Sequence, residues 1–468
     1  MFDIQLIKRA PMRNILIIVL VLLPFFGISQ QYYVQGHIKG FNGKSIKIST
    51  FYGNENRPSD SISVSPDGIF KYLMPEGNKN GMYRFRLDKE RFIDIVFNFE
   101  NISFTTTYNE LIDSLFFSQS IENQLYFNYL KQRNLTSYKK ELLEPLVSFY
   151  PPDDPFYDQI VEEYHVMGLQ FEKFVSEMVE SNKNTFVAKM VKMDHPTAIP
   201  DNIPDEARNE YLKAHFFDNM DFGDTSMLRT NIISGKLLQY LTLYQNNRLT
   251  KEQLEVEFIK AVQVIMSRIR NYPEVYQYSM DYLIKGFETY GFEKVITYIA
   301  DNIDLEANCV DDERRALLEK KVESLKKYAI GKQMTDFSVT TLNGEKITLS
   351  SSGSEYLLVV FWATWCPHCT QLLPELSKIY FPESKDKFQI VAVSLDEEPA
   401  ELENFLKNGN YLFPVACDFK KWKGSLVDLL DIYATPTMFL LFNDRTILAK
   451  PTTFQELKNE LFVRNILH

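Results

Sequence analysis

Two of the four cysteines in this 468-residue chain stand two residues apart, in Cys366-Pro367-His368-Cys369. That spacing sets two sulfurs one helical turn apart, close enough for a reversible disulfide, so the pair is a candidate for dithiol–disulfide exchange. A zinc knuckle needs a second ligand pair at suitable spacing, and the sequence has none. Cys366 is expected to be the exposed, attacking nucleophile, and Cys369, more buried, to resolve the mixed disulfide. His368, when protonated, adds positive charge beside the thiolate. Pro367 suits a first helical turn, because the N–H it lacks would go unpaired there. Cys309 and Cys417 read as free buried thiols, and the other histidines are scattered with no i,i+4 pair, so no metal or other cofactor is expected.

The elements around the pair predict how it is held. Residues 356–361, Tyr-Leu-Leu-Val-Val-Phe, are apolar and β-branched enough for a strand buried on both faces. A helix is expected from Cys366 to about residue 380, so its unpaired N–H groups and dipole favour a thiolate at the first cysteine. Before the strand, Asn343-Gly344 separates two short alternating runs and predicts a two-residue hairpin. After it come a strand at 388–393, a helix at 400–407, a short helix near 426–432, a strand at 437–442, a turn at Asn443-Asp444 and a last helix near 454–463. Strands alternating with helices make residues 331–468 an α/β sheet domain.

Upstream the pattern changes twice. Residues 109–330 carry helical periods broken at Tyr150-Pro151-Pro152 and at His195-Pro196, and their Met and aromatic stripes read as core packing. Residues 30–108 alternate in short runs between turns such as Pro66-Asp67-Gly68, which predicts a small antiparallel β domain of about seven strands. At the start, Met12-Arg13 is followed by an apolar run over residues 15–26 and then by Gly27-Ile28-Ser29. That is a charged start, an apolar core shorter than the roughly 20 residues of a membrane span, and small residues for cleavage, so residues 1–29 are expected to be a signal peptide. The fold class is therefore multidomain α+β: an N-terminal antiparallel β domain, an all-helical middle and a C-terminal α/β domain. With 51 basic and 62 acidic residues the net charge is −11, and no basic block offsets it, which argues against nucleic-acid binding.

The segment Trp362-Ala363-Thr364-Trp365-Cys366-Pro367-His368-Cys369 resembles the active site of the thioredoxin superfamily, and Ala434-Thr435-Pro436-Thr437 matches the cis-proline loop that faces it. The resemblance implies a thioredoxin-like fold, a cis bond before Pro436, a backbone edge offered to substrate by Thr435, supporting roles for Trp365, Pro367 and His368, and a helix bent at Pro374. Within the superfamily, the leading Asp336-Phe337 hairpin and the three-part layout resemble exported TlpA/ResA-like thiol–disulfide oxidoreductases of the Bacteroidetes type. This implies a periplasmic location, exported protein thiols or disulfides as substrates, and a membrane or periplasmic partner that recycles the dithiol. Two positions depart from the relatives. Val360 stands where thioredoxins carry a buried Asp, and Leu372 where ResA-type proteins carry a Glu. The proton of Cys369 must then leave through water, His368 or an acid from elsewhere. The contrasting reading is a binding protein whose β and helical regions capture a partner while the redox domain is secondary. A peroxidase would need Thr where Ala363 stands. The helical region is expected to cover part of the Cys366 face.

Overall fold

The computed structural model describes residues 31–200, 203–302, 320, 323–409 and 411–467. The leader read at residues 1–29, and Cys309, lie outside these residues. The chain divides into two compact units, which meet in sequence between Lys192 and Met193.

In the first unit the alternating runs form eight strands: β1 (Tyr33–Lys39), β2 (Ser45–Tyr52), β3 (Glu55–Ser63), β4 (Ile69–Leu73), β5 (Gly81–Arg86), β6 (Phe92–Phe97), β7 (Ile102–Thr107) and β8 (Phe116–Gln119). They pair as two four-stranded sheets, β4-β1-β7-β8 and β3-β2-β5-β6. The inward residues of both, among them Val34, Ile48, Phe85, Ile95 and Phe104, share one core, as a two-layer sandwich requires. Pairing is antiparallel except between β1 and β7, which run parallel. Local alternation gives no direction for strands so distant in sequence. The eighth strand lies past residue 108, since Phe116-Phe117 does not alternate and carries no strand signal of its own. At Pro66-Asp67-Gly68 only glycine fits: its φ is 77°, and a Cβ there would lie 2.1 Å from the Ile38 carbonyl.

Three helices follow: α1 (Ile121–Phe149), α2 (Pro155–Ser181) and α3 (Phe186–Asp194). The Asn123 side chain exchanges two hydrogen bonds with the Val96 backbone, at 2.8 and 2.7 Å, tying α1 to β6. Glu122, buried beside it, accepts from the amides of Phe186 and Val187 at the start of α3. A carboxylate at a helix N-terminus is favourably placed against the dipole.

The second unit begins with α4 (Asp205–His215), α5 (Ile232–Thr242), α6 (Lys251–Ile269), α7 (Pro273–Thr289) and α8 (Glu293–Asn302). Pro273 opens α7, and Thr250 with Gln253 forms a capping box on α6, the start signals that helix chemistry favours. The C-terminal part is β9 (Ser338–Thr340), β10 (Lys346–Thr348), β11 (Tyr356–Trp362), α9 (Pro367–Ile379), β12 (Phe388–Ser394), α10 (Pro399–Gly409), β13 (Val415–Cys417), α11 (Ser425–Leu430), β14 (Thr437–Phe442), β15 (Ile447–Ala449) and α12 (Phe454–Val463). Its sheet has the order β13-β12-β11-β14-β15, with β11 parallel to β12 and antiparallel to β14. Residues 357–362 of this central strand are all buried, because helices cover both faces of such a sheet. The β9–β10 hairpin differs from the two-residue turn expected. Its loop is longer, with Gly344 at φ 84° and the Thr341 amide bonded to the Glu345 carbonyl at 2.8 Å. Among the described residues no helix is long and apolar enough to cross a membrane.

Candidate active site

β11 delivers the chain to the site and α9 begins there. Cys366 is the N-cap of α9 with extended backbone (φ −95°, ψ 111°), and Pro367 is the first helical residue. The Cys369 amide points at the Cys366 sulfur at 3.3 Å, so the sulfur occupies the place of a capping oxygen. Cys369 is fully buried. Burial, then its hydrogen bond with Cys366, pushes its thiol up from 9.0 to about 12.

The loop before β14 closes the other side. The Thr435–Pro436 peptide bond is cis, and the Cys366 thiol donates to the Thr435 carbonyl at 3.3 Å. That contact corrects the expectation that Cys366 is exposed: it is only 5% accessible, its sulfur lying against the Thr435 backbone. Trp365 remains 43% exposed. It packs on Trp422 with ring centroids 5.9 Å apart and has the Lys421 ammonium over its ring. His368 is exposed on the rim, and Pro374 lies inside α9. The Cys417 thiol is half-buried, unbridged and raised by burial.

One residue that the sequence reading did not single out underlies the turn. Asp396, 1% exposed, accepts from the amide and hydroxyl of Thr364 and from the Ser394 hydroxyl, the last two at 2.6 Å. It thereby clamps the residue two positions before Cys366. Its only local signal was an acid two positions after the end of an apolar strand. Replacing Asp396 by Ala leaves one buried and two part-buried donors without this acceptor and is expected to lower unfolding free energy by about 2–4 kcal/mol. The midpoint of urea denaturation measures it, and a loss below about 1 kcal/mol would show that water replaces the carboxylate. Val360 is fully buried and Leu372 nearly so, so neither departure from the relatives places a carboxylate at those positions. His215 and Asp218 sit 2.7 Å apart on exposed surface.

A central buried strand, a dithiol at the mouth of the next helix and a cis-proline loop against the first sulfur define a thioredoxin-like domain. Residues 330–454 match the AhpC/TSA family, and residues 172–327 match a domain of unknown function, DUF5106. The chain is 33% identical over 135 residues to thiol-disulfide oxidoreductase ResA of Bacillus thuringiensis subsp. konkukian, covering 29% of this chain and 72% of that protein. It is 32% identical over 129 residues to sporulation thiol-disulfide oxidoreductase A of Bacillus subtilis, covering 26% and 75% respectively. A thioredoxin-like protein from Bacteroides caccae aligns at 21% identity over 57% of this chain and 98% of that one, with a TM-score of 0.44. The chain belongs to the ResA-like family of thiol–disulfide oxidoreductases.

Proposed function

We propose that the chain is exported, cleaved near Ser29 and exchanges disulfides with protein substrates through Cys366 and Cys369. The layout of leader, β domain, helical region and redox domain at 331–468 belongs to the same reading, with the β domain extended from residue 108 to 119 by its eighth strand. The observation that carries it is the Cys366 sulfur, held between the Cys369 amide and the Thr435 carbonyl, each at 3.3 Å.

In the reductive direction, the Cys366 thiolate attacks one sulfur of a substrate disulfide. The substrate S–S bond breaks as the mixed disulfide forms, and the other substrate sulfur leaves as a thiolate. Cys369 then loses its proton and attacks the Cys366 sulfur. This releases the second substrate thiolate and closes the Cys366–Cys369 disulfide. Two electrons have passed to the substrate, and a dithiol partner in the same compartment restores them. Run backwards, the same steps oxidise a substrate dithiol. Pro436 presents the Thr435 backbone as the edge on which the substrate chain lies, Pro367 starts the helix, and Trp365 and His368 form the rim.

The reduction potential tests this reading. The full mature chain is equilibrated in defined thiol/disulfide buffers and the alkylated cysteines are quantified by mass. We expect a single two-electron transition at Cys366 and Cys369. A midpoint below about −250 mV identifies a reductant, and one above about −180 mV an oxidase or isomerase. A pair that does not cycle at any potential overturns the proposal.

A further inference from the structure

We infer that α7 and the turn after it form a specificity-determining wall of the thiol site. The cleft they close selects cysteine-bearing chain segments that carry a basic side chain beside the cysteine. This selectivity presupposes the thiol-exchange reading above and resides in residues that precede the redox domain in sequence.

The cleft has a volume of about 910 Å³ and runs from His368, Thr435 and Pro436 to Lys285, Glu288 and Tyr290. It lies at the upper end of the roughly 300–1,000 Å³ typical of ligand pockets. One end is the backbone that touches the Cys366 sulfur, so whatever reaches the dithiol from that side passes along the wall. The wall is anchored at several points. Glu293 pairs with Lys450, with both side chains largely shielded. Gly291, at φ 67°, brings its backbone so close that a Cβ would lie 2.8 Å from the Thr452 methyl. The Tyr433 hydroxyl, three residues before Pro436, bonds to the Glu288 carboxylate.

Among the described residues the charges on the lining are unequal. Glu288, Glu293, Glu375 and Asp431 face the cleft against Lys285, Lys450 and His368. Glu293 and Lys450 neutralise each other, and Glu375 is engaged by Lys378 at 2.5 Å. Of the rest, Asp431 and Glu288, whose carboxylate holds the Tyr433 hydroxyl, outnumber Lys285. The two carboxylates are half-buried and Lys285 is exposed, so solvent screens the lysine more than the carboxylates and the interior of the cleft is anionic. Apolar lining from Leu372, Ile432 and Met438 suits the alkyl stem of a lysine or arginine.

The test uses the full reduced chain and three probes: the neutral disulfide dithiodipyridine, and two peptides whose single cysteine is joined to thionitrobenzoate. The peptides differ only in lysine or glutamate at the positions flanking the cysteine. The lysine peptide is expected to react at least ~3-fold faster than the glutamate peptide at low salt, with the ratio falling toward one as ionic strength rises. In the Glu288→Gln, Asp431→Asn double variant, with each peptide rate divided by that variant's own dithiodipyridine rate, the ratio drops below ~1.5. The Glu288→Gln change keeps an acceptor for the Tyr433 hydroxyl, and the salt series needs no variant at all. Equal peptide rates in the unmodified chain, or a ratio unchanged by salt and by the double variant, overturn the inference while leaving thiol exchange intact. Failure of dithiodipyridine to react overturns the thiol-exchange reading itself.

Discussion

Replacing Cys366 with serine abolishes disulfide turnover, by at least ~10³-fold, and leaves the protein folded. The loss follows from the step it removes: a serine hydroxyl neither attacks a disulfide nor forms one, and Cys369 is fully buried behind it. The intact fold follows from geometry. The Cys366 sulfur acts as the N-cap acceptor of α9, and serine is among the best residues for that position. Unfolding free energy should therefore change by no more than about 1 kcal/mol. Turnover of a peptide disulfide, measured beside a thermal melt, separates the two effects. If half of the rate survives, Cys366 is not the nucleophile.

The second large effect concerns the resolving step. In a Cys369→Ala variant the mixed disulfide has lost the neighbouring thiol that breaks it, so one substrate molecule per chain stays bound, visible as an added mass that a reductant removes. In the unmodified chain, closure of the Cys366–Cys369 bond waits on a thiol pushed up to about 12. The rate of that closure is expected to rise about tenfold per pH unit between pH 7 and 9, since the thiolate fraction does. A flat profile would instead show that an internal base takes the proton, with His368 and Asp396 the residues to replace next. Stability carries the same signature with a definite sign. Below about pH 9 the thiol is protonated in both folded and unfolded chains and contributes no pH dependence. Between the ordinary value of 9.0 and the folded value of about 12, the folded chain holds a proton the unfolded chain has lost, so stability falls as pH rises. Removing Cys369 should remove that part of the alkaline decline.

Much of the redox domain was legible because its signals are local. The apolar run of β11, the Cys-Pro pair that caps and starts α9, and the turn at Asn443-Asp444 are each determined by residues within a few positions. β14 and α12 begin and end where periodicity placed them. β13 was not read, since three residues carry no period. The hairpin turn was read as too short because Asn-Gly also suits a longer loop in which glycine alone takes positive φ. In the β sandwich, alternation revealed the strands but not the parallel β1–β7 pair, whose partners lie about 70 residues apart in sequence.

The proposed chemistry was legible in the sequence alone: two cysteines at disulfide spacing, at the mouth of a helix, with a threonine-proline pair before a later strand. What surrounds those sulfurs was decided by the tertiary structure. The Thr435 carbonyl covers Cys366 across 69 positions of sequence. Asp396 clamps Thr364 across 32, and α7 lines the cleft from more than 70 positions upstream. Spacing along a chain reports contacts within a turn or a hairpin, where backbone geometry dictates distance. Contacts between distant segments depend on how sheets and helices pack, and that packing buried the Cys366 sulfur that the motif alone had placed in the open.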